Sequence, residues 1–150
     1  MGEVAVGALF CMLLNGAPEA QHDYGNLGGL NTISVDCETP THVIEIGLDN
    51  TDGLRDSLHQ AAFAAALTDK RPMVLVIDTD GVEDRYQYEL RVVARKFDVA
   101  FGVCSADFIH RWVATAPFRS AGLDNTLNDL PVKAVAERHC DLANEFARAP

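Results

Sequence analysis

The stretch SVDCETPTHVIEIGL, residues 34–48, decides how the chain is read. It divides into two short runs around a turn. NTISVDC alternates, with Ile33, Val35 and Cys37 on one face and Ser34 and Asp36 on the other. HVIEIGL alternates as well, with Ile44, Ile46 and Leu48 opposite Val43, Glu45 and Gly47. Pairing across a hairpin conserves the sum of paired residue numbers. A four-residue loop from Thr39 to His42, with Pro40 second, makes that sum 81 and sets Asp36 opposite Glu45. Two carboxylates would then share a face with Cβ atoms ~5 Å apart, a destabilising arrangement unless something offsets the repulsion. A hard divalent cation does so, and Mg²⁺ is commonly held by one or two carboxylates with water and substrate phosphate. The plain alternative is the wet side of an antiparallel pair, where acids are ordinary.

Working outward, residues 2–14 are helix-friendly and stop at Asn15-Gly16. Residues 15–30, rich in Gly and Asn, read as a loop with one short strand near Tyr24. After the hairpin, DNTDGL is a helix start with Asp52 or Thr51 as cap. A helix over 54–67 follows, with Leu54, Leu58, Ala61, Ala62 and Ala65 as its apolar stripe. PMVLVID is a strand buried on both faces. Residues 81–97 form an amphipathic helix with Val82, Tyr86, Leu90, Val93 and Phe97 inward, and VAFGVC is another buried strand. ADFIHRWVATA is helical, 117–131 is a loop, and 132–148 is a final helix. A hairpin continued through crossover helices makes an α/β fold, a mixed sheet flanked by helices. The chain reads as one domain, a core over 1–104 with a helical extension over 105–150.

The net charge of −10 disfavours a broad phosphate-binding surface, so nucleic acid fits only if a cation mediates the contact. A protein partner or a second copy of the chain is the other expectation. Cys11, Cys37, Cys104 and Cys140 have no C-x-x-C spacing and read as reduced core residues, which favours a cytoplasmic setting. VAVGALFCMLL lacks the positive flank of a signal peptide and reads as a buried first helix, and no apolar run is long enough for a membrane span.

A helix with an early Glu, a hairpin with Asp on one strand and Glu-x-Lys on the next, then a helix and a buried strand, is the arrangement of the PD-(D/E)XK nucleases. This chain resembles that restriction-endonuclease-like superfamily over roughly residues 1–104, in particular its small bacterial members of unsettled function. The resemblance implies that Glu3 matches the first-helix acid, Asp36 the motif Asp and Glu45 the motif acid. It implies that Asp36 and Glu45 hold Mg²⁺ for phosphodiester hydrolysis, with Gln60 on the following helix in support. The Lys position is Gly47, which offers no amine to the attacking water, and the Gln motif ends in Ala64 instead of Tyr. Arg55 is the basic side chain left on that helix. It stays protonated and could stabilise a phosphorane but not act as base. The resulting expectation is a weak nuclease or a catalytically silent scaffold.

A second constellation is VLVIDTDGVED. Glu45 with Asp78 and Asp80 at the end of a buried strand resembles the Toprim pattern, in which acids also hold Mg²⁺. That pattern usually has a further strand–helix unit between its acids, and DTDG also makes an ordinary turn and cap. The five histidines form no metal spacing, and His42 reads as a surface strand residue. GNLGG at 25–29 precedes a strand and is a poor phosphate loop.

Overall fold

The structure, a computed structural model, describes residues 3–120 and 139–146. The order is α1 (Glu3–Leu13), β1 (Ala17–Asn26), β2 (Gly29–Glu38), β3 (His42–Leu48), α2 (Leu54–Thr68), β4 (Arg71–Asp78), α3 (Arg85–Lys96), β5 (Ala100–Ser105), α4 (Ala106–Ser120) and α5 (Ala143–Phe146). The five strands form one sheet in sequence order. β1–β2 and β2–β3 are antiparallel, and β3–β4 and β4–β5 are parallel. The expected α/β mixed sheet flanked by helices is therefore what the chain forms.

β4 shows why the sheet is covered on both sides. Met73, Leu75 and Ile77 enter one apolar cluster with Phe10 of α1, Ile109 of α4 and Leu142. Val74 and Val76 enter another with Leu54 and Ala61 of α2 and Leu90 and Ala94 of α3. The alternation of a strand thus divides one apolar run between two helical layers. α2 lies close on the sheet because its buried stripe is Leu54, Ser57, Ala61 and Ala64, mostly small side chains. Of the expected stripe, Leu54 and Ala61 are buried and Leu58 and Ala65 pack half-buried against the core, whereas Ala62 is exposed and Ser57 and Ala64 take its place. Neither Thr51 nor Asp52 caps the helix: the N-cap is Gly53, with no side-chain bond. α3 starts later than the sequence suggested, because Asp84 caps it by accepting from the Gln87 N–H. Its buried face is Gln87, Leu90 and Ala94, whereas Val82 and Phe97 are exposed.

The largest departure is at residues 15–30. They form a ten-residue strand, β1, paired with β2 along its length through the two-residue turn Leu27-Gly28. α4 likewise runs through Pro117 to Ser120, where a loop was expected. The final helix expected over 132–148 lies mostly outside the described residues, within which 143–146 is helical.

The four cysteines are not reduced. Cys11 bonds Cys37, tying α1 to β2, and Cys104 bonds Cys140, tying β5 to the C-terminal segment. The cytoplasmic expectation loses its premise with this correction. A clasp acts beside the second bond. His42, buried rather than on the surface, meets Glu145 at 2.9 Å and the Thr41 hydroxyl at 2.7 Å. Arg71 donates to the same carboxylate. Burial pushes the Glu145 carboxyl up, but the hydrogen bonds of Arg71 and His42 outweigh it and hold the group below the usual range. Among the described residues no helix is long and apolar enough to cross a membrane.

Candidate metal centre in the fork between two strands

The hairpin of β2 and β3 has the expected register. Cys37 pairs with Ile44 and Glu38 with Val43, both sums being 81, and the Thr39 N–H donates to the His42 carbonyl across the turn. The ladder stops there. At the next rung Asp36 turns its side chain inward, and its Oδ2 accepts the Ile46 N–H at 2.8 Å. The aspartate takes a backbone donor that β2 would otherwise satisfy, so the two strands part and a fork opens.

β2 also changes faces at this point. Val35 packs with Val43 and Ala64 beneath α2, whereas Cys37 packs in the α1 cluster. The sequence had placed Val35 and Cys37 on one face, but the strand rotates through Asp36. On the other neighbour, β1, Pro18 pairs with Cys37 and Ala20 with Val35, and the rung between them, Glu19 opposite Asp36, is missing. Glu19 has a φ of 52°, in the left-handed region that costs a non-glycine residue energy.

The fork holds a pocket of about 210 Å³ lined by Gly7 and Ala8 of α1, Glu19, Asp36, Glu45 and Ile46 of the strands, and Ser57 and Gln60 of α2. Three sequence-predicted residues, Asp36, Glu45 and Gln60, thus share one cavity. Arg55 does not line it. Its guanidinium pairs with Glu89 of α3 at 2.8 Å and lies over the Tyr86 ring. The side chain of Glu3 is not among those described. The Lys position is closed as well as empty: a Cβ on Gly47 would meet Leu54 Cδ2 at 2.6 Å. Glu19 and Ser57 were not among the site residues expected from the sequence. Glu19 lay in a segment read as loop, and Ser57 has no flanking glycines of a nucleophile elbow to mark it.

Glu45 is the centre of the arrangement. It is 2% exposed, and its Oε1 is buried without a hydrogen-bond partner among the described residues. Its carboxyl is pushed up to about 8, first by burial and then by the charge and hydrogen bond of Asp36, with Glu19 adding to the effect. The backbone N–H of Asp36 works weakly the other way. This is the pattern of carboxyls forced together in a partly dry site, where one keeps its proton unless a cation replaces it.

A second acidic group lies at the carboxyl end of the parallel strands. Asp49, Asp78 and Asp80 present ligand atoms within 4.8 Å of one another and could hold a metal ion. Asp49 is buried and both its oxygens already accept from Thr79. Asp78 accepts the N–H groups of Asp80 and Gly81, and Asp80 that of Val82. Glu45 is not part of this group. It sits opposite Val74, four residues before Asp78 on β4, a separation of ~13 Å along the strand. No family model, curated protein or solved structure matches the chain.

Proposed function

We propose that the chain is a nuclease-like protein whose Asp36 and Glu45 bind one divalent cation, Mg²⁺ by the chemistry of an all-oxygen donor set. The observation that carries the reading is the buried, unpartnered Glu45 Oε1 beside Asp36 in the fork pocket. A bound cation would relieve the repulsion between the two carboxylates and lower the pKa of a coordinated water next to a phosphodiester. Gln60 at the rim has an amide that can orient that water or a phosphate oxygen. The order helix, hairpin of β2 and β3, helix, buried parallel strand supports the same reading, because it is the order that the PD-(D/E)XK resemblance implies, with β1 added to it. Among the described residues the pocket is lined by acids without any Lys or Arg, so a phosphate would enter only in company with the cation.

A second reading is that the cation site survives without turnover. Leu54 fills the space where the resemblance calls for an amine, and Arg55 is engaged with Glu89. The disulfide-linked cysteines favour folding in an oxidising compartment over the cytoplasmic setting first expected.

Calorimetric titration with Mg²⁺ and Mn²⁺ tests the proposal. One binding event in the wild type, lost in Asp36→Asn and in Glu45→Gln but kept in Asp78→Asn, is the expected result. Absence of binding at millimolar cation would end the metal reading. Cleavage of supercoiled DNA or a bis-aryl phosphodiester with Mn²⁺ then separates the active enzyme from the silent scaffold.

A further inference from the structure

We propose that the outer edge of β5 docks an extended acidic segment of a protein partner, which joins the sheet as a further strand beside the arginines of α3. The proposal is independent of the fork pocket and starts from a difference between the two edges of the sheet. Among the described residues β1 and β5 are the end strands, and each presents a row of backbone groups that the sheet leaves unpaired. β1 carries the features that discourage strand addition. Pro18, Glu19 and Asp23 lie along it, and its ladder to β2 is interrupted opposite Asp36. β5 carries none of them: its sequence is AFGVCS, without a charge or a proline. Such an apolar edge invites pairing with another chain. β5 is also incompletely covered on its α3 side. Val74 and Val76 of β4 are fully buried there, whereas their partners on β5, Phe101 and Val103, are only half-buried. A further strand would cover both.

The chemistry of that strand follows from α3. The helix holds four of the chain's 12 Lys and Arg residues and one acid, in a chain of net charge −10. Arg91 and Arg95, one turn apart, line a groove of about 300 Å³ with Arg71 and with Ala100 and Phe101 of β5. Asp98 and Glu145 line it too, and both face Arg71. Arg91 pairs with Glu83 at 2.9 Å, a part-exposed bridge that exchanges at little cost. Arg95 is exposed, with no partner among the described residues. A strand laid along β5 turns every second side chain towards these two arginines. The fitting occupant is therefore a polypeptide with acids at alternate positions and uncharged residues between them. A second copy of the chain, related by a two-fold axis at this edge, would bring Arg91 and Arg95 of one α3 towards those of the other. A nucleic acid would meet the negative charge of the rest of the chain and offers no row of N–H and C=O groups to the edge.

The test uses the full chain and, as probe, a capped peptide of β5's length that alternates valine and glutamate. Calorimetry should show saturable binding below about 1 mM, and hydrogen exchange in β5 should slow in the complex. The matching valine–lysine peptide should bind at least about 10-fold more weakly. Arg95→Glu should weaken the glutamate peptide by about 10-fold or more, while Arg85→Glu, the same charge change at the far end of α3, should stay within about twofold of wild type. Both arginines are exposed, so an unchanged melting temperature in these variants separates lost binding from lost folding. Val103→Lys, which sets a charge on the edge itself, should abolish binding. Failure of the glutamate peptide to bind below about 1 mM, or equal losses in Arg95→Glu and Arg85→Glu, would overturn the proposal. So would a wild-type dimer in sedimentation that Val103→Lys dissolves, because a second copy then holds the edge. An oligonucleotide that displaces the peptide, with a dependence on Arg95, would overturn it as well.

Discussion

Glu45 carries a stability signature that can be read without any ligand. Its carboxyl ionises near 4.5 when the chain is unfolded and near 8 when folded. Between those values the folded protein holds a proton that the unfolded chain has released. Stability is therefore full below about pH 4.5 as far as this group is concerned, falls as pH rises towards 8, and levels off above. The loss is on the order of 3–5 kcal/mol. Urea denaturation from pH 5.5 to 9 should show the decline in the wild type and a nearly flat profile in Glu45→Gln. Saturating Mn²⁺ should flatten it too, by favouring the ionised form. Gly47 gives a second prediction at this scale. Gly47→Ala drives a methyl against buried Leu54 and should cost about 1–3 kcal/mol by thermal melting. Gly47→Lys should cost at least that and add no cleavage.

At the scale of elements, the hairpin was legible because two signals agreed: period-two alternation in both strands and a Pro-containing turn that, centred on Pro40-Thr41, gives the observed register. That register holds for two rungs, and Asp36 and Glu45 line one pocket although they are not ladder partners. β4 and β5 were legible as continuous apolar runs. β1 was not, because APEAQHDYGN carries strand-avoiding residues and buries little, with most of its positions exposed. It is a strand through its pairing with β2 rather than its own propensity. The same blind spot hid Glu19. The rotation at Asp36 was invisible too, since alternation assumes a regular pleat and the aspartate breaks it by taking the Ile46 N–H. α1 belongs to the site through the Cys11–Cys37 bond, whose second cysteine adjoins Asp36. Replacing both cysteines by serine should lower stability by ~2–5 kcal/mol and weaken Mn²⁺ binding, because one pocket wall and one ligand strand lose their tether.

For the whole molecule, spacing could not reveal the disulfides: four widely separated cysteines allow three pairings or none, and only the fold brings Cys104 to within 4.4 Å of Cys140 between Cα atoms. Denatured, unreduced protein should react with no thiol reagent, and two disulfides should appear by mass after peptide mapping. Both bonds lie in the apolar cluster that also holds α1 and α4. The opposite layer, α2 and α3, packs on the sheet with no disulfide among the described residues. Hydrogen exchange should therefore show α2 and α3 opening before α1.

The inner wall of the fork supplied by Gly7 and Ala8 has almost no side chain, and neither residue offers a donor group of its own. The width of the doorway is thus set by two helix residues that bring no carboxylate to it. A leucine at position 8 would narrow that doorway and leave every carboxylate in place, turning an open port into one that admits a bare ion and turns away anything carrying a phosphate.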